Sequence, residues 1–364
     1  MTRALILVLI LLTALTATAN DLSADLQEII ATFLAENPEA PGIIAHVECP
    51  RLDLAWSSAV GTVSHDDPTP LSSAHTFRIA SNTKTYTAAT LLRLIEQGRL
   101  GLDDSLGDHL PADQSDLLAG DGYDLEAITL RHVLSHTAGL ADHTDGEHYG
   151  NAILADPQHH WTPAEDIALC VELFDPVGTP GEKYKYSDTG YIILGGIIER
   201  ETGLNLGTAA RRQLDYSRLG LTATWWEIME PCPATSGPRA HQYYGDLDTI
   251  DWNASLDLYG GGGLITDARE LALFMRLLLQ GEVFTDDATL AAMTDSGTAS
   301  YRLGLMVVDL DGHLAFGHQG FWNTFAFHVP SLDLTVAGSI NNHHSQNGKE
   351  LARLLVSMVS AAAP

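Results

Sequence analysis

Ser81-Asn82-Thr83-Lys84 sets a hydroxyl and an amine three residues apart, and on a helix that spacing puts both on one face. Apolar residues at helical spacing between Asn82 and Gln97, stopped by Gly98, predict such a helix. Lys84 continues a stripe through Ala88, Leu91, Leu92 and Ile95 that should face the core, and a cation in the first turn opposes the helix dipole. Both effects disfavour the ammonium form, which makes Lys84 a candidate base for activating Ser81. The chain has only four lysines. A plainer reading is a serine cap with a lysine snorkelling to solvent. In a second motif, Tyr186-Ser187-Asp188, a phenol held beside a lysine can carry a proton; equally, Asp188 can cap the helix that follows and Tyr186 can line a wall. In a third, His318-Gln319-Gly320, the glycine allows close backbone approach, and His318 should share a face with Gly320 and Trp322. Its plainer reading is a hydrogen-bonded histidine on a sheet.

Positioning these motifs requires a frame. Residues 42–61 alternate into two strands broken at Cys49-Pro50-Arg51, a hairpin signal. From about 100 to 250 the pattern is mostly helical with long loops, including segments at 132–136, 165–174 and 190–202. Tyr259 to Gly263 marks a sharp turn, and Asp267 with Glu270 predicts a capping box for a helix reaching Leu279. Strands then follow at 301–310, 314–329 and 334–340, with turns at Asp311-Gly312 and Pro330-Ser331, before a last helix from about 348 to 361. The expected class is α/β of the α+β type: one antiparallel sheet built from both chain ends and flanked by helices, with a helical lobe inserted. The sheet lobe is expected at about 20–80 and 251–364, the helical lobe at about 81–250.

Forty-seven acids against 19 bases give a net charge of −28 over 364 residues. That charge repels phosphate backbones and anionic bilayers, so nucleic acid is excluded as a partner. Residues 1–19 read as a secretory signal: Arg3, an apolar run from Ala4 to Leu12, then Ala17-Thr18-Ala19 as a cleavage site. The run is too short to span a bilayer. A secreted or periplasmic protein without stable membrane insertion is expected. Cys49, Cys170 and Cys232 would permit one disulfide and one leftover thiol. His143, Asp145, Glu147, His148, His159 and His160 crowd one stretch that could bind zinc, but their spacing fits no standard zinc motif.

Taken in order, Phe77 to Lys84, the block Ile128 to Leu140, Pro180 to Tyr191 and Phe316 to Trp322 resemble the serine β-lactamase-related family. That family includes class C β-lactamases, D-alanyl-D-alanine carboxypeptidases, D-aminopeptidases and related esterases. The resemblance spans roughly residues 27–360. It implies a β-lactamase/DD-peptidase-like fold with a cleft between sheet and helices, and no metal or organic cofactor. It makes Ser81 the nucleophile of an acyl-enzyme and has Lys84 with Tyr186 shuttle its proton. Asp188 stands where the family has asparagine, and His318 opens the third motif, followed by Gln319. The oxyanion would sit between the backbone N–H groups of Ser81 and Phe321, the latter following Gly320.

Two departures bear on substrate. An ionised Asp188 can only accept hydrogen bonds; paired with Lys84, it would favour the ammonium and pass the role of proton acceptor to Tyr186. His318 and Gln319 replace the Lys-Thr of β-lactamases and weaken the grip on a substrate carboxylate. The expected substrate is a small molecule or peptide, and D-alanyl-D-alanine carboxypeptidase-like or D-amino-acid peptidase activity comes first. Carboxylesterase or weak β-lactamase activity is the alternative. A non-catalytic penicillin-binding or sensor protein is the rival of another class, and the intact Ser81, Lys84 and Tyr186 argue against it.

Overall fold

The computed structural model describes residues 19–345 and 347–362. The expected signal peptide lies outside the described residues, except for Ala19. Helix α1 (Ala19–Ala35) leads into strands β1 (Gly42–Cys49) and β2 (Leu54–Gly61), the hairpin read from the sequence. The helix read from Asn82 onward is α2 (Thr83–Glu96), and the helix of the second motif is α3 (Asp188–Thr202), closed by Gly203 with φ 67°. Helix α4 (Ala268–Leu279) precedes β3 (Met306–Leu310), β4 (His313–Gly320), β5 (Thr324–Val329) and β6 (Leu334–Ile340), and α5 (Gly348–Ala362) ends the fold.

Every neighbour in the six-stranded sheet is antiparallel, in the order β2-β1-β6-β5-β4-β3. Both chain ends therefore build it, as expected. Strand alternation divides the apolar residues between two cores. Ile43, Ala45, Val47, Phe325, Phe327 and Val336 pack with α1 and α5 on one face. The other face presents Ile44 and the small Ala326 and Ala337 to a larger core shared with α2, α3 and α4.

Three expectations change. The strand expected over 314–329 is two strands, because Phe321-Trp322-Asn323 reverses the chain with Asn323 at φ 55°, a conformation asparagine tolerates better than most residues. The strand expected from Tyr301 begins at Met306, and the Tyr301 hydroxyl meets His318 instead. The capping box works in one direction only. Asp267 accepts from the Glu270 N–H, while the buried Glu270 carboxylate accepts from the backbone of Thr222 and Ala223 and from the Thr224 hydroxyl, donors that burial would otherwise leave unpaired. All three cysteines are free, with Cys49 and Cys170 buried and Cys232 exposed.

What positions the site is close backbone contact. A Cβ on Gly195 of α3 would lie 2.0 Å from the Tyr259 carbonyl oxygen, and one on Gly260 would lie 2.3 Å from that of Tyr191. Helix α3 therefore rests directly on the 259–263 turn. Gly195→Ala should destabilise the protein by about 1–3 kcal/mol through this overlap. Its neighbour Gly196 faces open space, so Gly196→Ala should stabilise by up to about 1 kcal/mol from helix propensity. Urea unfolding of the two variants checks the contrast; shifts of the same sign would refute it.

Candidate active site

Ser81 sits on a turn of 3-10 helix, Ala80–Asn82, that runs straight into α2. Ala80 takes φ 47°, a strained value for a residue with a side chain. The turn is clamped by the tip of the β4–β5 hairpin. Asn82 Nδ2 donates to the Ile79 carbonyl and to Thr324 Oγ1, and the Thr324 hydroxyl donates to the same carbonyl at 2.8 Å. A Cβ on Gly320 would lie 2.3 Å from that carbonyl oxygen. The glycine of the third motif is thus required by approach to the serine turn.

Lys84, in the first turn of α2, is 0% exposed. Its Nζ donates to Ser81 Oγ at 2.9 Å, to the Gly261 carbonyl at 2.9 Å and to Asp188 Oδ1 in a short contact. Three acceptors match the three N–H bonds of an ammonium. Asp188 stands at the N-terminus of α3, where a carboxylate suits the helix dipole. Burial would raise its pKa, but the Lys84 charge and hydrogen bond hold it below the usual carboxylate range. The cap of this helix is Ser187, whose hydroxyl accepts from the Gly190 N–H, so the plainer role for Asp188 is filled by its neighbour.

The Tyr186 ring lies 4.9 Å from Lys84 Nζ, and the nearby Ser81 hydroxyl acts to lower the pKa of its phenol. Burial and the Asp188 charge push that phenol well above its ordinary pKa. Pairing of Asp188 with Lys84 was expected to make Tyr186 the proton acceptor; the pairing is present, yet this environment keeps the phenol neutral. His136 braces the motif, with its ring 4.3 Å from that of Tyr186 and its Nδ1 accepting from the Ser187 N–H.

The third motif divides. His318 is fully buried; its Nδ1 donates to the Gln319 carbonyl and its Nε2 meets the Tyr301 hydroxyl at 3.0 Å. Burial, then the Lys84 charge, pushes the imidazole down to about 3, so it is neutral and offers no cation. Gln319 turns to Asn347, ahead of α5, and does not line the cleft. Phe321 lies at the rim, 46% exposed and stacked on His343 at 4.0 Å. Of the expected site residues, Ser81, Lys84, Tyr186 and Asp188 converge, Gly320 supports the serine turn, and Phe321 borders the cleft.

That cleft has a volume of about 400 Å³ and is lined by Ser81, Tyr186, Asp188 and Asp257 among aromatic and aliphatic groups such as Tyr149, Trp252 and Trp322. Asp142, Asp166 and Asp257, which sequence reading did not connect with the site, gather around Asp188. Asp142 accepts from the Asp188 N–H at 3.0 Å. Burial raises all three carboxyl pKa values, those of Asp257 to about 7 and Asp166 to about 8. Proximity to a recognised motif was the only sequence signal: Asp142 follows the 128–140 block and Asp257 precedes the 259–263 turn. Of the suspected zinc residues, His143 bonds Thr189 and His159 faces Glu165. Among the described residues, no group of three or more histidine, cysteine or acidic side chains is arranged to hold a metal ion.

A buried lysine touching a half-buried serine at the floor of a cleft, with a phenol against both, defines a serine hydrolase. The profile of the Beta-lactamase family matches residues 37–358, and the chain belongs to that family. A D-stereospecific amidohydrolase from Streptomyces sp. is similar in structure, with a TM-score of 0.77 at 27% identity over 91% of this chain and 97% of that one. An Escherichia coli (strain K12) protein provisionally named a D-alanyl-D-alanine carboxypeptidase is 25% identical over 80% of this chain and 75% of its own length. A penicillin-binding protein of Bacillus subtilis (strain 168) is 30% identical over 155 residues, 42% of this chain but only 31% of that protein.

If Lys84 and Tyr186 serve one proton, Lys84→Ala and Tyr186→Phe should each slow acylation by about 100-fold or more, and the double variant should lose far less than the product. Stopped-flow acylation by a p-nitrophenyl ester measures this. Multiplicative losses would show independent roles.

Proposed function

We propose that the protein hydrolyses small amides or esters through an acyl-enzyme on Ser81, with D-amino-acid amides and peptides as its first substrate class. The contact between Lys84 Nζ and Ser81 Oγ carries this reading. In this reading Lys84 acts in its amine form, having given a proton to solvent before substrate closes the cleft. That amine takes the Ser81 proton as Oγ attacks the carbonyl, and the neutral Tyr186 phenol relays a proton to the departing amine or alcohol. The backbone N–H groups of Ser81 and Phe321 are the proposed donors to the oxyanion, each worth about 3 kcal/mol. Water then reverses the sequence and frees the acid.

Among the described residues no lysine or arginine lines the cleft, which speaks against a carboxypeptidase holding a substrate carboxylate. The similarity to a D-stereospecific amidohydrolase supports the amide class. Export rests on the apolar run and cleavage pattern of residues 1–19. Among the described residues no helix is long and apolar enough to cross a membrane.

Intact mass after mixing with p-nitrophenyl acetate and D-phenylalanine amide should show an acyl adduct on the wild type and none on Ser81→Ala. The variant should remain folded, because a helix-start serine contributes about 1 kcal/mol. Dialysis against a chelator should leave turnover unchanged. Full activity in Ser81→Ala, or activity lost to the chelator and restored by zinc, would overturn the reading.

A further inference from the structure

Beside Asp188 lies a recess of about 20 Å³ that shares Thr144, Asp188, Leu256 and Asp257 with the cleft and ends on His143 and Asp166. That volume admits one water-sized group. Its charges are lopsided. Asp166, Asp188 and Asp257 line it, Asp142 accepts from the Asp188 N–H behind it, and the nearby amine of Lys84 is already engaged by Asp188. The neighbouring imidazoles supply no balancing cation, since burial holds His143 at about 4, His318 at about 3 and His136 well below its ordinary range.

The recess also presents unsatisfied acceptors. Asp166 is 1% exposed and its Oδ1 has no hydrogen-bond partner; His143 Nε2 lies 3.9 Å away. No donor among the described residues hydrogen-bonds the Asp257 carboxylate, which packs instead against Gly262. A buried acceptor left unpaired is costly, and a group that brings three N–H donors and one positive charge would satisfy both carboxylates. A carboxylate ligand would bring no donor to these acceptors and would add negative charge beside Asp188.

We propose that this recess is a subsite for the primary ammonium group of the substrate, contacted by Asp257 with Asp166 behind it. The enzyme then cleaves amides and peptides next to a free amino-terminal residue and discriminates against N-acylated ones. The inference rests on the Ser81 hydrolase reading and assigns the substrate class of that site. An acyl group on the amine would remove its charge, outgrow the recess and leave Asp257 and Asp166 without a partner.

The test is the ratio of kcat/KM for D-alanine p-nitroanilide to that for its N-acetyl derivative, because within one variant this ratio cancels any general loss of activity. The wild type should favour the free amine by about 10- to 100-fold, the range for a buried charged hydrogen bond. Asp257→Asn should bring the ratio close to one, and Asp166→Asn should move it in the same direction by less. A wild-type ratio near one overturns the subsite, as does a preference that survives in Asp257→Asn, provided p-nitrophenyl acetate still acylates Ser81. If the ester fails to acylate Ser81 in the wild type, the hydrolase reading itself falls.

Discussion

A single buried amine organises the centre of this molecule. Lys84 lies wholly out of solvent and is held by a hydroxyl, a backbone carbonyl and a carboxylate, one from each of three chain segments. Burying an unpaired charge is prohibitive, and removing one partner from a buried pair costs about 3–5 kcal/mol. Asp188 at the start of α3 and Gly261 in the 259–263 turn must therefore arrive together at α2. The close contacts of Gly195 with Tyr259 and of Gly260 with Tyr191 bring them there, and the Thr87 hydroxyl ties α2 to the Gly260 carbonyl at 2.9 Å.

The sheet contributes through shape rather than charge. Its inner face is trimmed to Ala326 and Ala337 so that helices can approach, and the tip of the β4–β5 hairpin locks the turn that presents Ser81. Gly320 lies nearly in contact with the Ile79 carbonyl, so the third motif acts largely as a strut for the nucleophile. Neutral, buried His318 belongs to the same structural role, since it fixes Tyr301 behind Tyr186. Around this frame the protein tolerates an acidic wall that stability alone would disfavour, a pattern expected where binding has a use for it.

Much of the centre was legible because it is local. A three-residue spacing predicted the contact of Ser81 with Lys84, and alternation predicted the β1–β2 hairpin and the sheet built from both ends. Adjacent turn residues identified the 259–263 bend. Each of these depends on residues a few positions apart, where helix and strand geometry are set by the chain itself. Local signals misled where a turn hid inside an apolar run: Phe321 and Trp322 read as strand, and Asn323 reversed the chain.

What sequence alone determined is thus the set of chemical groups and the elements that carry them. Only the tertiary structure decided their states. It gave Lys84 a carboxylate partner, made Tyr186 a neutral phenol, took the cation away from His318 and turned Gln319 toward Asn347. It also assembled Asp142, Asp166, Asp188 and Asp257 from four separate segments. Protonation and hydrogen-bond direction follow from burial and neighbouring charge, and those exist only once distant parts of the chain are packed against one another.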